Sequence, residues 1–126
     1  MDSRKILATD KAPAAIGPYS QGMVVGNLVF TSGQLPIDPA TGEMPESVAD
    51  QARQSLNNVK AILEAAGTDM SRAVKLTVFL QDMNDFAAMN DVYAEFFEGD
   101  CPCRSAFEVA ALPKAAKVEI EAIATL

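Results

Sequence analysis

The run Val118-Glu119-Ile120-Glu121-Ala122-Ile123-Ala124 begins in strict apolar–polar alternation, and it constrains the fold more than any other stretch. Side chains alternate across a β-strand, so this pattern predicts a strand with one buried and one open face. A second alternating run, Arg104-Ser105-Ala106-Phe107-Glu108-Val109, precedes it across a connection containing Leu112-Pro113. Alternation places Ser105, Phe107 and Val109 on one face of that strand and Arg104, Ala106 and Glu108 on the other. In the final strand Val118, Ile120 and Ala122 share a face, and Lys117, Glu119 and Glu121 share the opposite one. If the apolar faces pack into one core, Arg104, Glu119 and Glu121 gather on the other side of the sheet. The plain alternative is a solvated polar face, with Arg104 paired to Glu119 or Glu121 as a surface ion pair.

The rest of the chain sorts into alternating classes of element. Residues 1–13 predict an extended lead-in, with a short strand near Lys5-Ile6-Leu7-Ala8. The prolines and glycine of residues 12–18 punctuate a loop. Tyr19 to Val25 and Leu28 to Thr31 read as strands joined by Gly26-Asn27, a favoured two-residue hairpin turn. Ala52, Leu56, Val59, Leu63 and Ala66 form a helical stripe over about 46–66, opened by Glu46 or Ser47 and closed by Gly67. Ala73 to Gln81 reads as a strand with Val74, Leu76, Val78 and Leu80 on one face and Lys75, Thr77 and Phe79 on the other. A second helix is expected over about 84–97, with Phe86, Met89, Tyr93 and Phe97 along its apolar stripe. Strands, helix, strand, helix and strands predict an α+β two-layer sandwich: a mainly antiparallel sheet with two helices on one face. The chain of 126 residues forms one domain, 1–126.

Composition removes several function classes. The formal net charge is −7 and the ten basic residues are scattered, which disfavours phosphate backbones and predicts no nucleic-acid partner. The absence of histidine excludes Ser-His-Asp and Cys-His hydrolase arrangements and removes the commonest metal ligand. Cys101 and Cys103 flank a single proline, too close for an unstrained disulfide and too few for a structural zinc site. Two reduced thiols, no leader-like apolar run and no stretch of about 20 apolar residues predict a cytoplasmic protein without a membrane span.

Longer motifs carry a resemblance. Arg104-Ser105-Ala106, Val109, Leu112-Pro113 and Val118-Glu119-Ile120-Glu121 resemble the C-terminal signature of the RidA (YjgF) family of enamine and imine deaminases. Ala15-Ile16-Gly17-Pro18-Tyr19-Ser20-Gln21, Phe30-Thr31-Ser32-Gly33-Gln34 and Met89-Asn90-Asp91-Val92-Tyr93 resemble further segments of that family, so the similarity spans nearly the whole chain. The resemblance implies a chorismate mutase-like subunit, a homotrimer with clefts between subunits, and no cofactor. It implies hydrolysis of 2-iminobutanoate and 2-iminopropanoate to 2-keto acids and ammonia, with a functional link to the pyridoxal-phosphate dehydratases that release those imines.

The same resemblance suggests roles for particular residues. Arg104 would hold the substrate carboxylate, because a guanidinium stays charged and grips a carboxylate through two parallel hydrogen bonds. Glu119 would orient or deprotonate the attacking water. Glu121 has equivalent spacing, and only the motif register favours Glu119. Tyr19 can donate a hydrogen bond to substrate or water, Ser32 can bond a ligand, and Gly33 lets a ligand approach the backbone N–H. Asn90 lies on the apolar stripe of the second helix, where it either orders a cleft water or is a satisfied structural amide. Two positions depart from the family pattern: Cys103 precedes the arginine where alanine or threonine is usual, and Ala106 stands where many members carry cysteine. Competing readings are a carboxylate- or keto-acid-binding trimer without turnover and, less well supported by the charge, a ribonuclease or translation inhibitor.

Overall fold

A computed structural model describes residues 3–126; the first two residues of the expected lead-in lie outside the described residues. Its elements are β1 (Arg4–Leu7), β2 (Gly22–Val25), β3 (Leu28–Thr31), α1 (Val48–Ala65), β4 (Ala73–Leu80), α2 (Phe86–Ala94), β5 (Cys103–Glu108) and β6 (Val118–Thr125). Short 3-10 turns occupy Met70–Arg72 and Met83–Asp85, and a tight non-helical turn occupies Pro113–Ala115. The described strands form one sheet in the order β1-β2-β3-β6-β4-β5. Every pairing is antiparallel except β4 with β5, which are parallel and joined through α2. A parallel pair needs a crossover rather than a hairpin, and α2 supplies it.

The core lies between the sheet and the helices. Leu56, Val59, Ile62 and Leu63 of α1 are fully buried, as are Leu76, Val78 and Leu80 of β4 and Val118 and Ile120 of β6. Burial of each such side chain stabilises the fold by about 2 kcal/mol before chain entropy is counted. Ser47 caps α1, its side chain accepting the Asp50 N–H at 3.1 Å, and Gly67 follows the helix at φ 89°. The hairpin turn at Gly26-Asn27 is present, with Val25 opposite Leu28 and Gly26 at φ 60°.

Several boundaries differ from expectation, each for a local reason. α2 is shorter than 84–97 because the chain tightens after Ala94: Glu95 and Phe96 donate to Val92 and Tyr93, three residues back. β2 starts only at Gly22. The buried Gln21 side chain is occupied with the lead-in, donating to the carbonyls of Thr9 and Pro13 and accepting from the Thr9 N–H. A bulge between Ala73 and Lys75 turns Val74 away from the face of Leu76, leaving it 43% exposed.

The faces of β5 are the reverse of the expectation. β6 alternates as predicted, with Val118, Ile120, Ala122 and Ala124 buried. The last two strands are not neighbours, because β4 lies between them. In the β4–β5 register Arg104 lies beside Leu76 and Ala106 beside Val78, whereas Ser105 lies beside Thr77 and Phe107 beside Phe79. Leu76 and Val78 point into the core, so Arg104 and Ala106 face the helices. Phe107 faces the open side, where its ring meets Phe79 edge-on at 5.4 Å. Arg104 therefore does not share a face with Glu119 and Glu121. An edge strand follows the alternation of its neighbour, and here that places the larger aromatic outside.

Candidate functional site

The expected site residues fall into two groups. Tyr19, Ser32, Gly33 and Glu119 line one cavity of about 730 Å³, walled by the 13–19 loop, the segment after β3 and the 113–114 turn. Its position follows from hydrogen bonds. The Ser32 N–H donates to the Gln21 carbonyl at 2.8 Å and the Ser32 hydroxyl donates to the Ser20 carbonyl. Gln34 exchanges two backbone bonds with Ile120, at 2.7 and 3.2 Å. From α1, the buried Asn58 amide donates to the carbonyls of Leu35 and Ile37, at 3.0 and 2.9 Å, and fixes the next stretch of wall.

That clamping sets Gly33 directly against the Glu119 carboxyl. A Cβ on Gly33 would collide with Oε2 and lie 3.0 Å from Cδ. The glycine is required by close approach rather than by its dihedral angles. Burial raises the Glu119 pKa above the ordinary carboxylate range, and the Glu121 charge raises it further. A carboxylate held in this way is a stronger base than a free glutamate and remains within reach of the cavity. Glu121 lies on the same open face, opposite Thr77, but does not line the cavity.

The second group surrounds Arg104. Its NH1 donates to Asn90 Oδ1 at 2.6 Å. Its guanidinium carbon lies 5.3 Å from the Phe86 ring centroid and 4.7 Å from that of Tyr93. Among the described residues Arg104 makes no ion pair, so the expected alternative of a bridge to Glu119 or Glu121 is absent. Tyr93 is buried, and among the described residues its hydroxyl has no partner. Burial pushes its pKa up to about 12, against the opposing influence of the Arg104 charge.

One chain does not bring the two groups together. Arg104 is level with Ala122 through Leu76, whereas Glu119 is level with Phe79. The offset is two strands across and three residues along, roughly 10 Å in each direction, and the two side chains leave opposite faces of the sheet.

Two features of the site were not legible in the pattern. Lys114 lines the Glu119 cavity, and it and Ala115 adopt φ 58° and 56°. Consecutive left-handed residues other than glycine cost roughly 1–2 kcal/mol each. Nothing in Leu112-Pro113-Lys114-Ala115 announces that conformation. The rings around Arg104 were visible only as members of an apolar stripe. Their spacing with Asn90 at i, i+4 and i+7 was the available signal.

Residues 9–126 match the family described as Endoribonuclease L-PSP. The chain is 58% identical over 123 residues to 2-iminobutanoate/2-iminopropanoate deaminase of Escherichia coli strain K12, covering 95% of this chain and 96% of that protein. The crystal structure of the Escherichia coli YjgF gene product superposes with a TM-score of 0.94 at 58% identity, covering 96% of this chain and 98% of that one. Escherichia coli TdcF with bound serine superposes equally well, at a TM-score of 0.94 and 55% identity over 97% of this chain and 98% of that one. No helix of the described residues is long and apolar enough to cross a membrane. With a family match from residue 9 to the final residue and a relative 58% identical over nearly the whole length of both chains, the chain belongs to the Endoribonuclease L-PSP family, that of RidA and YjgF.

Proposed function

We propose that this chain is an imine deaminase, hydrolysing 2-iminobutanoate and 2-iminopropanoate to the 2-keto acids and ammonia without a cofactor. The observation that carries the reading is Arg104: a cation held by an amide and two rings, with no carboxylate partner among the described residues. Its free edge suits a substrate carboxylate. Glu119 takes a proton from water as the oxygen attacks the C=N carbon, and a proton passes to nitrogen. The resulting carbinolamine then collapses: its hydroxyl proton passes to Glu119, a proton reaches the amine nitrogen, and the C=O bond forms as the C–N bond breaks and ammonia leaves. Ser32 and Gly33 position the substrate in the cavity, Tyr19 donates a hydrogen bond to substrate or water, and Asn90 serves the carboxylate end. These imines hydrolyse unaided, so orientation of water and carboxylate supplies much of the needed acceleration.

Because Arg104 and Glu119 lie on opposite faces of one sheet, the working cleft joins the Arg104 group of one subunit to the Glu119 cavity of another. The single domain over 1–126 would be chorismate mutase-like and assemble as a homotrimer. The open face, with Phe107 exposed beside Phe79 and Phe30 exposed beside Ile123 further along it, supports burial by a second copy. A solution mass of three chains is expected, and a monomer that retains full activity would refute the shared cleft. The enzyme would act in the cytoplasm beside pyridoxal-phosphate dehydratases.

The test runs a threonine dehydratase with semicarbazide as a competing trap, comparing wild type with Arg104→Ala. Wild type should suppress semicarbazone formation and the variant should not; equal suppression by both would refute the role of Arg104. A second reading, a carboxylate-binding trimer without turnover, draws on the serine bound to TdcF. Binding of 2-ketobutanoate without suppression of the trap would select it. The family's description as an endoribonuclease is set against a net charge of −7 and the absence of histidine. Salt-sensitive RNA binding with Arg104-dependent cleavage would favour that reading instead.

A further inference from the structure

The residues around Arg104 do more than neighbour it. Phe86, Asn90 and Tyr93 stand at i, i+4 and i+7 of α2, which places them along one stripe of the helix. Residues seven apart on a helix are separated by about 10 Å along its axis. A guanidinium carbon 5.3 Å from one ring centroid and 4.7 Å from the other therefore lies between the two rings, above the intervening Asn90. Both distances are within the range of cation–π attraction. The Tyr93 ring is itself held, buried and packed against Phe97 at 4.8 Å. The arginine stem leaves β5 beside Leu76, so the side chain reaches this stripe from the sheet.

We propose that Phe86 and Tyr93 are positioning residues that clamp the Arg104 guanidinium, while Asn90 sets its rotation, so that its Nε/NH2 edge is presented ready-oriented to a substrate carboxylate. The inference rests on the deaminase reading. Asn90 occupies NH1, and among the described residues Nε and NH2 have no partner, leaving the edge that can bind a carboxylate through two parallel bonds. A free arginine side chain has many rotamers, and holding it in one before binding removes an ordering cost from association. Among the described residues the Tyr93 hydroxyl has no partner, so the ring rather than the hydroxyl serves the clamp. Asn90 then acts through Arg104 as well as standing beside the ligand.

The test measures 2-ketobutanoate affinity by calorimetry, and KM and kcat in the trap-competition assay. The variants are Tyr93→Leu, Phe86→Leu and Tyr93→Phe, with Arg104→Ala as reference. Loss of either ring should raise Kd and KM about tenfold. The value of kcat should change less than about twofold, because the clamp acts on carboxylate binding and not on Glu119. Tyr93→Phe keeps the ring and should match wild type, whereas a structural role for the hydroxyl would make it resemble Tyr93→Leu. Phe86 is only half-buried, so Phe86→Leu remains informative if Tyr93→Leu unsettles the core. Folded leucine variants with wild-type Kd, while Arg104→Ala loses binding, overturn the clamp alone. A wild type that neither binds the keto acid nor suppresses the trap overturns the deaminase reading and the clamp with it.

Discussion

Gly33→Ala separates the cost of a substitution to stability from its cost to catalysis. The added Cβ would overlap Oε2 of Glu119, with Cδ at 3.0 Å and Cγ at 3.3 Å. The backbone cannot easily retreat, because Ser32 and Gln34 on either side are bonded to Gln21 and Ile120. The Glu119 carboxyl must therefore swing aside, and the end of a glutamate does so at modest expense. The expected destabilisation is about 1 kcal/mol, the low end for overpacking. Displacing a catalytic group by about 1 Å can cost a factor of about 100 in rate. Urea denaturation and the trap-competition assay measure the two effects on one preparation. A Gly33→Ala protein retaining kcat within about threefold of wild type would refute the assignment of Glu119 as the base, because its carboxyl cannot remain in place. The double variant with Glu119→Gln identifies the route. If Gly33→Ala acts by displacing Glu119, it causes no further loss of kcat in that background. If it blocks the ligand, 2-ketobutanoate binding still weakens.

Three further outcomes follow from the same geometry. The raised Glu119 pKa means that the folded state holds this proton more tightly than the unfolded chain, so the group's contribution becomes less favourable as pH rises from the unfolded toward the folded pKa. Glu119→Gln should therefore gain stability relative to wild type across that window and keep the gain above it, while kcat falls about 100-fold or more. Parallel stability–pH curves would contradict the burial argument. Asn90→Asp should turn the 2.6 Å bond to Arg104 into an ion pair that competes with the substrate. KM should then rise well above that of Asn90→Ala, and the reverse order would refute the free-edge geometry. Lys114→Gly should relieve the left-handed conformation at φ 58° and raise stability by up to about 1 kcal/mol in urea denaturation, glycine's greater unfolded entropy offsetting part of the gain. A clear loss of stability would show that the lysine side chain holds the turn.

Periodicity and turn chemistry made much of the architecture legible. The buried stripe of α1, the alternation of β6 and the Gly26-Asn27 hairpin depend on residues a few positions apart, so their pattern is written along the chain. Motif resemblance similarly singled out Arg104, Glu119, Tyr19, Ser32, Gly33 and Asn90. It did not show that one chain divides them into two groups. That division follows from the insertion of β4 between β5 and β6, and no run of sequence records strand order. Alternation defined two faces for β5, but only its register with Leu76 and Val78 decided which face meets the helices, and so moved Arg104 to the side of Asn90, Phe86 and Tyr93. The closeness of Gly33 to Glu119 is of the same kind, because it depends on two distant segments being pinned together through Gln34 and Ile120. Local periodicity determined which residues could be buried or exposed together. Long-range strand pairing decided which of them meet, because that choice minimises free energy over the whole packed sheet rather than over any one segment.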